Sequence, residues 1–208
     1  MVAVKPILFN TEMVRAILEG RKTVTRRVVK PHFRPGETGW QVITEKHSGK
    51  YVRIEYLDEW ENETRYMSEP FRPDDILYVR ETWTTVPDGS YVYKASVECP
   101  DAWAGTWRPS IHMPKEAARL FLRVTDVRVE RLQDITSEQI DAEGCKEWAY
   151  SAKTGELLPS GPSFFRIQWD TTIKPANLPI YGWDANPWVW VIEFERVSKE
   201  AALKGGEG

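Results

Sequence analysis

The chain has 208 residues, of which 41% are hydrophobic and 28% are charged, and its formal net charge at pH 7 is −3. This composition is typical of a folded globular protein and excludes a disordered or fibrous chain. The slight excess of negative charge argues against a protein that coats nucleic acid without specificity, because such binding depends on the neutralisation of many phosphates.

Several functional classes lack the sequence signals that they need. No apolar run approaches the roughly 20 residues that span a bilayer, and residues 1–10 lack the apolar stretch of a secretory signal. We therefore expect a cytoplasmic protein without membrane contact. Cys99 and Cys145 are far apart and the three histidines are dispersed, which predicts neither a disulfide framework nor a metal site. There is no glycine-rich phosphate-binding loop, and we predict no cofactor.

The first predicted elements are a strand and a helix. PILF (Pro6 to Phe9) predicts a short buried strand, and Asn10 is placed to cap a helix whose apolar residues recur at helical spacing. Gly20 ends this helix, and the β-branched KTVTRRVV that follows favours an extended chain. In a regular strand Lys22 and Thr25 point to opposite faces. A bend after Gly20 is therefore needed to bring these two side chains together.

Positive charge is concentrated in residues 15–34, which we call the basic segment. It contains a single acidic residue, Glu19, and seven basic residues: Arg15, Arg21, Lys22, Arg26, Arg27, Lys30 and Arg34. The planar fork of arginine suits phosphate, and the hydroxyls of Thr23 and Thr25 can complete the hydrogen bonding. A solvated surface loop is the alternative interpretation. We favour recognition of an anion.

The remainder of the chain predicts a β-rich domain. Strands are favoured by the runs YVRIEYL, DILYVRETW, SYVYKAS, LFLRVTDVRVERL and WVWVIEFERV. Thr136 and Gln139 form a capping-box pattern that opens a helix through Glu143, with Gly144 placed to end it, and residues 164–173 predict another helix. Strands outnumber helices and repeated βαβ units are lacking. The pattern indicates an α+β fold, a small mixed β-barrel with flanking helices and loop excursions.

We expect one domain over residues 1–198 and a frayed tail over residues 199–208. The segments 34–70, 84–112 and 146–182 are rich in proline, glycine and polar residues. We interpret them as loop excursions from the barrel, the kind of segment that often carries binding residues.

Some tryptophans are candidates for contact with a ligand. Of the ten tryptophans, Trp188 and Trp190 share one face of the last predicted strand, which favours a place in the core. Trp83, Trp103 and Trp107 lie in or beside an excursion. For these three, a place in the core and stacking on a nucleic-acid base both remain open.

Polar residues near the middle of the chain are further candidates. WRPSIHMP places Arg108, Ser110 and His112 at alternate positions, so an extended chain carries them on one polar face, whereas the two prolines equally suit a structural turn. Glu81 and Glu143 are carboxylates that can hold or relay a proton during attack on a carbonyl. Each can equally be the ion-pair partner of an arginine.

The chain resembles the ASCH domain family, in particular its longer bacterial and bacteriophage members. The likeness runs from about Pro6 to Val197 through five motifs in the right order: PILFNTEMVRAILEGRKTVTRR, DDILYVRETW, WRPSIHMP, ITSEQIDAEG and WVWVIEFERV. The resemblance implies the PUA-like superfold, a small β-barrel with a helix-flanked cleft. It also implies an association with RNA or nucleotide binding.

The resemblance further implies a set of catalytic residues. A small bacterial member of the family hydrolyses the amide of acetylated cytidine with a lysine, a threonine and a glutamate. Its lysine and threonine lie in a GRKTxT segment, which is matched here by Lys22 and Thr25, and its glutamate lies in the helix that ITSEQIDAEG resembles, where Glu143 is the best match. This chain is longer, and it has Pro73-Asp74-Asp75 where the family commonly shows a Gly-Asp turn.

We therefore expect a protein that binds RNA or a modified nucleoside in a basic cleft beside GRKTVTRR. Two activities remain open for this cleft: binding of the ligand alone, and hydrolysis of the amide of an acylated pyrimidine nucleoside such as 4-acetylcytidine. The alternative is a non-catalytic protein-interaction module, for example a bacteriophage accessory protein, whose basic patch meets an acidic partner. The expected substrate-binding or nucleic-acid-binding residues are Arg21, Arg26, Arg27, Arg80, Glu81, Trp83, Trp107, Arg108, Ser110 and His112.

Overall fold

The computed structural model describes residues 4–44, 51–99, 105–145, 149–150, 157–158 and 161–204. The strands are β1 (Val4–Leu8), β2 (Val24–Val28), β3 (Gly39–Thr44), β4 (Tyr51–Leu57), β5 (Glu63–Met67), β6 (Ile76–Arg80), β7 (Trp83–Thr85), β8 (Tyr91–Tyr93), β9 (Phe121–Arg131), β10 (Ala149–Tyr150), β11 (Leu157–Leu158) and β12 (Trp188–Val197). The helices are α1 (Thr11–Leu18), α2 (Ser137–Ala142), α3 (Pro162–Thr172), α4 (Leu178–Tyr181) and α5 (Lys199–Lys204).

A mixed five-stranded sheet organises the molecule. Its strand order is β1-β6-β9-β12-β2. Strands β1 and β6 are parallel, and the other pairs are antiparallel. The α+β class expected from the sequence is confirmed. Because β2 is the last strand in this order, one of its edges is free of any partner strand among the described residues.

Both faces of β12 are buried over most of its length, which explains its nearly continuous apolar run. Trp190, Ile192 and Phe194 belong to the larger core cluster, against which Trp188 also packs. Val189 and Val191 point to the other face and join a cluster that includes residues of α2 and α3. Since side chains alternate along a strand, a strand covered on both sides needs apolar residues at every position.

The expected barrel is not closed in the described residues. β1 and β2 are the two edges of the sheet and are not paired with each other. The gap between them is crossed by a side chain instead, because Arg27 Nη2 donates a hydrogen bond to the carbonyl of Leu8 at 2.8 Å. The other described strands form a three-stranded sheet, β3-β4-β5, and two hairpins, β7-β8 and β10-β11.

The first excursion contributes to the core. Residues 34–70 contain the antiparallel sheet β3-β4-β5, of which Ile54 and Tyr56 are almost fully buried. Trp40, Val42 and Met67 from the same face pack against the larger core cluster. This segment is therefore a packed layer of the fold, although its composition suggests a loop.

The tail differs from the expectation of fraying over its first residues. Residues 199–204 form α5, and Ala202 is fully buried beside Ile76 and Phe121. Ser198 begins the helix, since its Oγ accepts a hydrogen bond from the Ala201 N–H at 3.1 Å. A serine cap before helix-forming residues is a local signal for this helix. Residues 205–208 lie outside the described part of the chain.

Two further features bear on the sequence predictions. Asp74 adopts a φ of +70°, so the turn before β6 forms with an aspartate in the left-handed region. Among the described helices, none is long and apolar enough to cross a membrane.

Candidate functional site

A pocket of about 570 Å³ opens at the free edge of β2. One wall is α1 with its cap, and the opposite wall is α3. The floor is formed by the basic segment and by the end of α2. The lining residues are Asn10, Glu12, Met13, Ala16, Arg21, Thr25, Arg26, Arg27, Glu143, Gly144, Phe164, Phe165, Gln168, Trp169, Thr171 and Thr172.

The local sequence turns the chain between α1 and β2. Asn10 caps α1 by accepting a hydrogen bond from the Met13 N–H at 2.8 Å, and Gly20 ends the helix with a φ of +74°. The chain then runs beside the end of α2, where the Thr23 N–H donates to the Ala142 carbonyl at 2.8 Å. Regular strand geometry begins only at Val24.

Lys22 and Glu143 form a buried ion pair beside the pocket; Glu143 lines the pocket, whereas Lys22 is not among its lining residues. Lys22 Nζ lies 2.6 Å from Glu143 Oε2, and its other hydrogen bonds go to the carbonyls of Val24 at 2.8 Å and Glu143 at 2.9 Å. The Lys22 side chain has no exposed surface. Desolvation lowers the pKa of Lys22, although the attraction of Glu143 opposes this effect.

Thr25 lines the same pocket as Glu143 and is only 1% exposed. It lies opposite Ile192 of β12, so its side chain points to the face of the larger core cluster. Within the described part of the chain, no group hydrogen-bonds to its hydroxyl. The hydroxyl is therefore free to meet a ligand.

Arg26 ties the floor of the pocket to α2. Its guanidinium donates to Gln139 at 2.8 Å, to Glu143 at 3.2 Å and to Glu130 at 3.3 Å. Gln139 also accepts from the Thr136 N–H at 3.1 Å, which completes the capping box of α2. Arg26 Nε is buried and has no hydrogen-bond partner among the described residues. Arg26 thus fixes the second carboxylate oxygen of Glu143.

Arg21 and Arg27 supply the remaining positive charge around the pocket. Arg21 pairs with Glu19 at 2.5 Å and donates to the Gly144 carbonyl at 2.6 Å. The Arg27 guanidinium lies 5.3 Å from the ring centre of Phe9. Desolvation lowers the pKa of Arg27. The pocket therefore combines several cations with few carboxylates.

The aromatic wall was not assigned to the site from the sequence. Phe164, Phe165, Gln168 and Trp169 of α3 line the pocket, and the Trp169 indole is held by a 2.8 Å hydrogen bond to the Tyr181 carbonyl. Residues 164–173 were predicted as a helix, and α3 covers Pro162–Thr172. Spacings of three and four residues place these side chains on one face of the helix. This spacing indicates that the face packs against another part of the protein, but it does not indicate which part.

The remaining candidates lie away from this pocket. Trp83 is 4% exposed and belongs to a core cluster, and the Arg108 guanidinium lies 5.1 Å from its ring centre. Glu81 is 1% exposed and accepts two hydrogen bonds from Arg119, at 2.8 and 2.9 Å. Arg80 donates to the carbonyls of Ile111 and Met113. These contacts are those of structural ion pairs and packed rings.

The WRPSIHMP segment forms a turn at its centre. Ser110–His112 adopt a 3₁₀ turn, so Arg108, Ser110 and His112 do not share the single face of an extended chain. His112 is exposed and Trp107 is half-buried, and the structure places neither in the lining of the pocket. Trp103 lies outside the described residues.

A scan of protein-family models, a search of curated proteins and a search of solved structures found no match for this chain. The chemistry of the site is therefore inferred from its own residues. These are a buried lysine–glutamate pair, a free hydroxyl, several cations and an aromatic wall around one cavity.

Proposed function

We propose that this chain is a PUA-like domain of the ASCH type that binds RNA or a modified nucleoside in the pocket at the edge of β2. There it hydrolyses the amide of an acylated pyrimidine nucleoside such as 4-acetylcytidine. The observation that carries the proposal is the buried pair of Lys22 Nζ and Glu143 Oε2, 2.6 Å apart, at a pocket that Thr25 also lines.

The shape and lining of the pocket suit a nucleoside. Its volume of about 570 Å³ falls within the roughly 300–1,000 Å³ of small-molecule sites. Phe164, Phe165 and Trp169 offer apolar surface for a base. The side-chain amide of Gln168 supplies donors at the same wall, and its oxygen, which already accepts a hydrogen bond from Cys145 Sγ at 3.2 Å, has a second lone pair for a ligand.

Amide hydrolysis needs an activated nucleophile, stabilisation of the oxyanion and a proton for the leaving amine. Thr25 supplies the attacking hydroxyl. Lys22, in its neutral form, accepts the hydroxyl proton, and the desolvation that lowers its pKa increases the neutral fraction. Lys22 Nζ now donates hydrogen bonds to three acceptors, so it must break one of these bonds before it contacts the Thr25 hydroxyl. Glu143 orients the lysine and relays the proton to the leaving amine, so that the C–N bond breaks, cytidine leaves and the acetyl group remains as an ester on Thr25 Oγ. A water molecule then attacks this ester, neutral Lys22 accepts its proton and returns it to Thr25 Oγ, and acetate is released.

The charge that develops on the acyl oxygen is stabilised by the cations around the floor, because electrostatic interactions strengthen where water is excluded. Arg26 is the candidate among these, since it lines the pocket and its Nε has no hydrogen-bond partner among the described residues. The PUA-like assignment is supported by the approach of the two sheet edges, where Arg27 reaches the Leu8 carbonyl.

The interaction-module alternative has less support. A surface that binds a protein partner through steering charges needs no recess, whereas this site is concave and holds titratable groups that are almost fully buried. A buried lysine with a lowered pKa is more useful to a reaction than to a docking surface.

The test is to incubate purified protein with 4-acetylcytidine and to follow the release of cytidine. Thr25→Ala, Lys22→Ala and Glu143→Ala should each reduce turnover by about 100-fold or more, the usual range for removal of such groups, and Thr25→Ser should retain part of it. Thr23→Ala is the matched control, because Thr23 is exposed and does not line the pocket.

Turnover that survives all three alanine substitutions would refute the catalytic assignment. Absence of turnover on a panel of acylated nucleosides, with saturable binding of nucleosides or short RNA, would return the protein to the binding class. Absence of binding at two salt concentrations would refute the proposed function as a whole.

A further inference from the structure

The cations around the pocket differ in how their charge is balanced. Lys22 and Arg26 both contact the carboxylate of Glu143, at 2.6 and 3.2 Å. Arg21 lies 2.5 Å from the carboxylate of Glu19. Each of these three cations therefore has an anionic partner within the protein.

Arg27 has no such partner. Among the described residues, no carboxylate lies within ion-pair distance of its guanidinium, although this side chain lines the pocket. Its contacts are with neutral groups: the carbonyl of Leu8 at 2.8 Å, the carbonyl of Arg26 at 3.4 Å and the ring of Phe9. Carbonyls and an aromatic ring orient a guanidinium, but they do not cancel its charge.

The Arg27 guanidinium is half-buried, and the anion in the protein that attracts it is Glu143, whose carboxylate is already paired with Lys22 and Arg26. A partly desolvated cation whose nearest anion is shared in this way carries a desolvation cost. Desolvation lowers the pKa of Arg27, and the attraction of Glu143 opposes this effect without cancelling it. A negatively charged ligand group in the pocket would remove this cost, and arginine's fork is suited to two oxygens of a phosphate.

The position of Arg27 limits what the ligand can be. Thr25 and Arg27 point to the same face of β2, opposite Ile192 and Trp190. Two residues along a strand span about 6.6 Å. A ligand whose amide meets Thr25 must therefore carry its charged group some distance from that amide, beyond a spacer. A base joined through ribose to phosphate has this arrangement.

We infer that Arg27 binds a phosphate group, so that the ligand is a nucleotide, either free or as a unit of RNA, and not a free nucleoside. This inference rests on the proposed function, because it takes the group at Thr25 to be the amide of an acylated base. It assigns to Arg27 a role in selecting the ligand that differs from the roles of Lys22 and Glu143 in the reaction.

The test compares ligands that differ only in the phosphate. Isothermal titration on Thr25→Ala protein, which should not consume the ligand, measures the affinity for 4-acetylcytidine, for its 5′-monophosphate and for a short oligoribonucleotide that contains it. Inorganic phosphate alone is titrated as a fourth probe. Arg27→Gln removes the charge, Arg27→Lys keeps it without the fork, and Arg34→Gln is the matched control, since Arg34 is an exposed residue of the same segment outside the pocket.

The monophosphate should bind about tenfold or more tightly than the nucleoside, as expected for a charge-assisted hydrogen-bonded pair. Arg27→Gln should bring this ratio near one, Arg27→Lys should give an intermediate ratio, and Arg34→Gln should preserve it. If the oligoribonucleotide binds more tightly than the monophosphate, RNA is the source of the phosphate. Equal affinities identify a free nucleotide.

Equal affinity for nucleoside and monophosphate would overturn this inference and leave the proposed function intact. An equal loss of the ratio in Arg34→Gln would also overturn it, since the preference would then belong to the basic segment as a whole. Binding of inorganic phosphate that depends on Arg27, without binding of any nucleoside, would keep the anion site and overturn the proposed function. Arg27 also holds the Leu8 carbonyl, so Arg27→Gln could unfold the protein by loss of this contact. In that case the comparison of affinities is made with Arg27→Lys, which keeps the positive charge.

Discussion

Gly144 is the position at which α2 meets both α1 and the basic segment, and alanine there tests how closely these segments pack. Its φ is +82°, a region that costs a residue with a side chain about 1–2 kcal/mol. A Cβ at this position would lie 2.7 Å from the Ala16 Cβ and 3.0 Å from the Lys22 Cβ. Both distances are shorter than ordinary carbon contacts, so the substitution must displace α1 or Lys22.

Gly20 provides the matched control. Its φ is +74°, and no atom lies within 4 Å of an added Cβ. Gly20→Ala therefore measures the backbone strain alone, about 1–2 kcal/mol. Gly144→Ala adds the cost of overpacking, about 1–3 kcal/mol. We expect Gly144→Ala to be the more destabilising substitution by this second amount.

Urea unfolding followed by tryptophan fluorescence gives both free energies of unfolding. A double-mutant cycle with Ala16→Gly extends the test, because removal of the Ala16 Cβ relieves the shorter contact and should recover part of the loss. Equal destabilisation by Gly144→Ala and Gly20→Ala, with no coupling to Ala16, would refute the close packing of these segments.

Two further predictions concern buried titratable groups. Burial raises the pKa of the Cys145 thiol to about 11. Alkylation at pH 8, followed by mass spectrometry, should therefore modify the exposed Cys99 much faster than Cys145. Equal rates for the two cysteines would contradict the burial of Cys145. Desolvation lowers the pKa of Lys22 in the folded protein. At pH values between this lowered pKa and the unfolded pKa of about 10.4, Lys22 therefore binds more protons in the unfolded chain than in the folded protein, and the free energy of unfolding rises with pH. The test uses a Cys145→Ala background, because the raised pKa of the Cys145 thiol has the opposite effect on the pH dependence. In this background Lys22→Met should remove the rise in stability, and an unchanged pH profile would contradict the argument.

The elements predicted best are those whose signals lie within one or two turns of chain. Asn10 and Gly20 bound α1 through contacts with their immediate neighbours, and Thr136 and Gln139 begin α2 in the same way. Ser198 carries an equally local signal for α5, which the small and charged residues around it obscured. Such caps depend only on nearby residues, so the sequence displays them directly.

The site depends on contacts between distant residues, which local patterns do not show. Lys22 and Glu143 are separated by 121 residues, and the family resemblance suggested that they meet, while no spacing in the chain did. The aromatic residues of α3 are separated from Thr25 by a similar number of residues. Their helical spacing therefore predicts a packed face, but it does not predict that this face lies opposite Thr25 in a pocket. Glu81 and Trp83 had the residue types of a site, but their neighbours in space hold them in the core.

Gln139 links the stability of a helix end to the order of the pocket. Its side-chain oxygen accepts hydrogen bonds from the Thr136 N–H and from Arg26 at once. Fraying of the first turn of α2 therefore withdraws an acceptor from Arg26, and Arg26 in turn holds Glu143. Opening of the helix and loss of the ordered floor become a single cooperative event, so the occupancy of the pocket and the lifetime of this turn should rise and fall together.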